Sequence, residues 1–213
     1  MSLHTLMIHE IFRSIQGEST YAGCPCVFVR LCGCNLNCRY CDTPAARQGG
    51  TPWRIPAIID RVNDLGPGIV EVTGGEPLMQ QHTPELLEQL ARNGRTVLLE
   101  TNGSLPLPAP AARPFSVIMD IKCPSSNASE SMYWENLNRL RKGDEIKFVI
   151  ANRNDFDWAL AILRRKAGQL QDIQRLCMPV YGELAPAQIA EWLLESGEDL
   201  RLSIQLHKLL GFL

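Results

Sequence analysis

Cys34, Cys38 and Cys41 fall within eight residues, at the spacing Cys-x3-Cys-x2-Cys, in the run from Phe28 to Thr43. Thiolates at such intervals hold metal, and structural zinc and iron–sulfur clusters usually take four protein ligands. Three ligands leave one coordination position for another molecule. The nearby thiols Cys24, Cys26 and Cys32 offer a fourth ligand to a zinc knuckle, or the whole set could pack as small apolar side chains. More polar residues follow apolar, strand-like runs, in Thr73-Gly74-Gly75-Glu76-Pro77, Glu100-Thr101-Asn102-Gly103 and Asp120-Ile121-Lys122. Each could be an ordinary turn, but in parallel β/α folds functional groups gather at the carboxyl ends of strands. Strand alternation puts Asp120 and Lys122 on one face, and likewise Gln205 and His207.

The elements that would position these groups follow from periodicity. Strands are predicted at Cys26–Leu31, Ile69–Thr73, Thr96–Thr101, Ser116–Ile121, Glu145–Ile150, Ile173–Met178 and Arg201–Gln205. Helices are predicted at Ile55–Leu65, with Ile55, Ile58, Ile59 and Val62 on one face, and at Pro84–Asn93, capped by Thr83 and stopped by Gly94. Others are predicted at Ser131–Arg141, Phe156–Ala167 and Pro186–Leu194. Alternation of this kind implies parallel β/α units. Between Thr101 and Ser116 the run GSLPLPAPAARP carries four prolines, which preclude a crossover helix. The expected fold is therefore α/β, an incomplete, open (β/α) barrel of about six parallel strands. One domain spans 1–213, with an N-terminal segment 1–25, the partial barrel 26–205 and a tail 206–213. The polar loop Asp42–Arg54 is long enough to cover a site.

A chain of 213 residues with 45% hydrophobic and 21% charged side chains is an ordinary globular composition. A net charge of −2 argues against nucleic acid or an anionic membrane as partner. Neither a membrane span nor a signal peptide is expected, which points to the cytoplasm. Six of the eight cysteines lie between residues 24 and 41, a density that suits a metal site in a reducing compartment better than disulfides. Met1-Ser2-Leu3 reads as partly an appended leader.

The cysteine spacing, with Tyr40 before the last thiol, resembles the signature of the radical S-adenosylmethionine (SAM) enzymes. There three cysteines bind a 4Fe-4S cluster and SAM chelates the fourth iron. Gly74-Gly75-Glu76 resembles the motif that binds the methionyl ammonium of SAM in those enzymes, and Lys122 and Asp120 could meet its carboxylate and hydroxyls. Further features, Ile11 to Glu18, Phe28-Val29-Arg30-Leu31, Cys41-Asp42-Thr43 and Gln205-Leu206-His207-Lys208, resemble the 7-carboxy-7-deazaguanine synthases over most of the chain.

That resemblance implies a substrate, 6-carboxy-5,6,7,8-tetrahydropterin, and a ring contraction that releases ammonia after a 5′-deoxyadenosyl radical takes hydrogen from C6. Ile15, Gln16, Gly17, Glu18, Arg30, Thr73, Gln205 and His207 match or adjoin substrate-contacting positions, and Thr43 matches a Mg²⁺ ligand. Tyr40, Cys41, Asp42, Gly74, Gly75, Glu76, Glu100, Asp120, Ile121 and Lys122 fall to SAM. An external one-electron reductant of flavodoxin or ferredoxin type and a homodimer are also implied. Family members often carry Ser-Pro-Lys where this chain has Asp120-Ile121-Lys122. An Asp-x-Lys there also resembles the activating enzymes of glycyl-radical proteins, which is the alternative reading; a zinc-stabilised binding protein without catalysis is a third.

Overall fold

The computed structural model describes residues 4–212, so Met1-Ser2-Leu3, read above as a leader, lies outside the described residues. Among those residues nine strands form one sheet, in the order β3-β1-β2-β4-β5-β6-β7-β8-β9. These are β1 (Thr5–Ile15), β2 (Pro25–Leu31), β3 (Thr51–Arg54), β4 (Ile69–Gly74), β5 (Thr96–Thr101), β6 (Ser116–Ile121), β7 (Glu145–Ile150), β8 (Gln174–Pro179) and β9 (Arg201–Leu202). From β2 to β9 every neighbouring pair is parallel, while β1 runs antiparallel to both β2 and β3. The sheet stays open, as the proline-rich connection and the small number of β/α units suggest.

Alternation gives each parallel strand two unlike faces. One face, carrying Val27, Val29, Leu31, Val70, Val72 and Leu99, joins the hydrophobic core. Against it pack the helices α1 (Ile55–Asp64), α2 (Thr83–Arg92), α3 (Arg153–Arg165) and α4 (Pro186–Ser196). Ile55, Ile58, Ile59 and Val62 of α1 are buried as their spacing requires. The opposite strand faces turn toward the lumen of the open barrel, where polar residues collect.

Several expectations need correction. The N-terminal segment is largely strand, and β1 with β3 extends the sheet beyond the parallel part. The parallel strands number seven among the described residues, the seventh only two residues long. Ser203 onward leaves the sheet, so Gln205 and His207 lie at the start of the short helix α5 (Leu206–Leu210) instead of on a strand. Thr83 does not cap α2. It is the first helical residue, and its hydroxyl donates to the Pro77 carbonyl at 2.6 Å.

The Ser131–Arg141 helix is replaced by 3-10 turns at Ser129–Ser131 and Trp134–Arg139. Asn136 explains the change, because its amide donates to the Gly103 and Leu105 carbonyls and accepts from the Leu107 amide at 2.8 Å. Side-chain bonds of this kind compete with helix geometry. They also hold the proline-rich connection against the barrel. The loop 42–54 is less irregular than expected, carrying a 3-10 turn at Pro44–Arg47 and then β3.

Candidate active site

The cysteine loop lies between β2 and the Pro44–Arg47 turn, and Cys34, Cys38 and Cys41 line a cavity of about 790 Å³ that opens at the carboxyl ends of the parallel strands. All three thiols are partly exposed. The loop is fastened at several points. The Tyr40 hydroxyl donates to the Val149 carbonyl at 3.1 Å, Arg39 pairs with Glu183 at 2.8 Å, and Arg47 donates to the Cys38 carbonyl at 3.2 Å. Asn102, at the end of β5, directs its amide nitrogen at the Cys34 sulfur from 3.8 Å. Burial pushes the Cys38 thiol up, partly offset by the Lys122 ammonium.

The donor set fits a polynuclear cluster better than a single ion. Among the described residues, three possible ligand atoms close to within 4.8 Å of one another only at His4, His82 and Glu85, away from the cavity. The three cysteine sulfurs are therefore not all within 4.8 Å of one another. Cys24, Cys26 and Cys32, the candidate fourth ligands of a knuckle, do not line the cavity.

The glycine motif sits directly beside this loop. Gly75 donates its amide to the Leu31 carbonyl at 3.2 Å, and a Cβ there would come within 2.0 Å of the Gly33 carbonyl oxygen and 2.9 Å of the Cys34 Cβ. Only glycine allows β4 to end so close to the thiols. Glu76 departs from expectation. Its carboxylate is fully buried, lies outside the cavity lining, and accepts from the Leu78 amide, the Thr101 hydroxyl and the Asn102 amide at 2.7–2.9 Å. It latches the glycine turn to β5. Ile121 turns its side chain into the core at 1% exposure, outside the cavity lining. Its neighbours Asp120 and Lys122 do face the cavity and pair at 2.8 Å.

Deeper in the lumen lies a group of charges drawn from six places in the chain. Arg30 points from β2 into the cavity, with its Nε 2.8 Å from Glu10 of β1 and its guanidinium 5.6 Å from the centre of the Phe12 ring. An arginine inside an apolar strand requires such partners. Lys147 of β7 is almost wholly buried and pairs with Glu18, with Glu100 at 2.6 Å and with Asp120 at 3.1 Å. Burial opposes its charge, but the three carboxylates outweigh burial and hold the ammonium firmly protonated. Glu100 shows the reciprocal effect. Burial pushes it up, yet Lys147 and a 2.7 Å bond from the Thr73 hydroxyl bring it to about 2.

Glu71 behaves in the opposite way. It is 2% exposed, and burial and then the charge of Glu100 push its carboxyl well up, with the Lys147 ammonium offsetting only part of the rise. Gln16 donates to it and uses its own carbonyl oxygen to accept from the Glu18 amide at 2.6 Å. The Gln16 side chain thus shapes the turn and holds Glu71, which leaves little of it to read a ligand. Glu71 and Lys147 were both missed in the sequence. Their signal was the one that marked Arg30, a charged residue at a lumen position of an otherwise apolar strand.

The turn after β1 closes the lumen. Glu18 reaches Lys147, the Thr20 amide donates to Glu145 at 3.1 Å, and the Gly17 carbonyl accepts from the Leu206 amide at 2.8 Å. A Cβ on Gly17 would meet the His207 ring at 1.9 Å, so this close packing also needs glycine. Gln205 donates to Glu18 at 2.8 Å and to Asp42 at 3.1 Å, and accepts from Lys208 at 2.6 Å. Burial lowers the His207 imidazole. Ile15, Gln16, Gly17, Tyr40, Asp42, Thr43, Thr73 and Gly74 all reach the same cavity. Of the expected site residues, Glu76 and Ile121 alone do not.

The comparisons agree with this geometry. The family model of the radical SAM superfamily matches residues 29–169. A 7-carboxy-7-deazaguanine synthase of Koribacter versatilis is 39% identical, over 95% of this chain and 96% of its own. One of Chlorobaculum tepidum is 44% identical over 95% and 93%. The crystal structure of QueE from Escherichia coli superposes with a TM-score of 0.74 at 22% identity, covering 95% of each chain, and so shares the fold. With the three-cysteine loop and the open parallel barrel in place, these similarities show that the chain belongs to the radical SAM superfamily and, within it, to the 7-carboxy-7-deazaguanine synthases.

Proposed function

We propose that the cavity converts 6-carboxy-5,6,7,8-tetrahydropterin into 7-carboxy-7-deazaguanine with loss of ammonia, and that residues at its two ends divide the work. The observation that carries this reading is one continuous cavity, with three thiols at its mouth and Arg30 with the Lys147 charge cluster in its lumen. Cys34, Cys38 and Cys41 would hold a 4Fe-4S cluster with SAM on the remaining position. Together those cofactors supply a 5′-deoxyadenosyl radical, generated with one electron from an external flavodoxin- or ferredoxin-type donor. Tyr40, Asp42, Gly74 and Gly75 line the path from thiols to lumen and would bind and orient SAM by backbone contact; Asp120 and Lys122 supply charged partners for its polar groups.

Arg30 would take the substrate carboxylate with its planar fork of donors, for which Glu10 is the partner without ligand. Thr73, Glu18, Glu100, Gln205 and His207 surround the remaining ring edges, while Ile15 and Gly17 offer backbone groups. Thr43 would offer an oxygen to Mg²⁺, a hard cation that prefers oxygen ligands. The protein orients the ring and excludes water, and the cofactors carry the hard chemistry. The turn across the lumen leaves a small-molecule space instead of an open groove, which favours a pterin over the glycine loop of a partner protein. The reading extends to a single-domain, cytoplasmic homodimer; no helix among the described residues is long and apolar enough to cross a membrane.

The test is anaerobic reconstitution with iron and sulfide, then incubation with SAM, dithionite, Mg²⁺ and carboxytetrahydropterin, with product followed by mass spectrometry. The deazaguanine acid is expected. SAM cleavage without that product would sink the synthase reading and leave the superfamily standing. Omitting Mg²⁺ tests Thr43, and turnover should then fall.

A further inference from the structure

Each of three cavity carboxylates divides its two oxygens in the same way. Glu18 places Oε2 on Lys147 and Oε1 on Gln205; Glu100 places Oε1 on Lys147 and Oε2 on Thr73; Asp120 places Oδ1 on Lys147 and Oδ2 on Lys122. One ammonium therefore joins the turn after β1, the end of β5 and the end of β6. Lys147 comes from β7 and lies opposite Asp120 in the β6–β7 register. A lysine 3% exposed is costly to bury without partners, because its charge is stripped of water. Here Glu18 and Glu100 each accept a hydrogen bond from it, and Asp120 Oδ1, 3.1 Å away, balances its charge as an ion pair without one. Without it they would face one another across a desolvated lumen.

We propose that Lys147 is a positioning residue that fixes the substrate end of the cavity, through Glu18 and Glu100, relative to the SAM end, through Asp120. The proposal rests on the synthase reading above and adds to it a cavity-lining residue that acts through its carboxylate partners. Its consequence is coupling: a change on the SAM side at Asp120 alters substrate affinity through Lys147.

The apo-protein is titrated with 6-carboxypterin, the oxidised and fluorescent analogue of the substrate, and the reconstituted enzyme is assayed for 5′-deoxyadenosine and product together. Lys147→Met keeps the length of the side chain and removes the charge. It should weaken analogue binding about tenfold or more, from the loss of charge-assisted contacts, and raise the ratio of 5′-deoxyadenosine to product severalfold. Asp120→Asn should weaken analogue binding in the same direction, and it decides the matter if Lys147→Met does not fold. A purely structural lysine would lower the melting temperature while leaving analogue affinity and the ratio unchanged, and that result overturns the proposal. Analogue affinity within twofold of wild type in Asp120→Asn overturns it as well. If wild-type protein itself fails to bind the analogue, the synthase reading falls and the proposal with it.

Discussion

The two ends of the cavity are built in opposite ways. At the mouth the three thiols lie within eight residues, so their grouping is a property of one loop. In the lumen Glu18, Arg30, Glu71, Glu100, Asp120, Lys147 and Gln205 come from a span of almost the whole chain and meet only when the strands are in register. A local site survives small errors of packing, because its ligands are linked by a few bonds. A distributed site depends on every strand that feeds it, which is why the lumen carries the buried ion pairs and the latches.

The sharpest way to break the comparison is at the mouth. Cys38→Ala should abolish cluster absorbance and all SAM cleavage while the far-ultraviolet circular dichroism stays that of the folded protein. A folded lumen in that variant confirms that the two ends form independently. The reciprocal change, Arg30→Ala, should lower product formation on the order of 10²-fold, as misplacement of a reacting ligand does, while leaving the cluster and uncoupled SAM cleavage largely intact. Loss of the cluster would mean that Arg30 supports the loop and not the substrate.

Glu76→Gln tests the latch between the ends. An amide cannot accept all three of its present bonds without setting an N–H against an N–H, so stability should drop by about 1–3 kcal/mol in urea unfolding. Unchanged stability with weakened SAM binding would place the carboxylate in the cavity after all.

The smallest effect concerns protons. Glu71 has its carboxyl raised, first by burial and then by Glu100, so its contribution to stability is full below the ordinary carboxylate range and is lost as pH rises toward its folded value. Glu71→Gln removes that slope, and the urea midpoint of the variant should gain on wild type between pH 5 and 8. A constant gap would mean that Glu71 is ionised. Glu100 runs the other way, with its carboxyl held at about 2, and its contribution is lost only as pH falls below the ordinary carboxylate range.

The legible parts of the molecule were those in which chemistry follows from neighbours in sequence. The helix faces, the parallel strands and the thiol loop all rest on short-range spacing, as the burial of Ile55, Ile58, Ile59 and Val62 shows. Gly74-Gly75 was legible for the same reason. The latch made by Glu76 was not legible, because its partners, Thr101 and Asn102, lie 25 and 26 residues on. Asn136 replaced a helix with 3-10 turns through bonds to a segment some 30 residues earlier.

Residue order alone thus groups the three thiols of the candidate metal centre, because ligand spacing within a loop is set by covalent geometry. Which side chains face that centre was decided by folding. Strand alternation gives each residue one of two faces, but only the ladder register and the turn after β1 bring Lys147 onto Glu18, Glu100 and Asp120, and those contacts cross distances that no local spacing encodes.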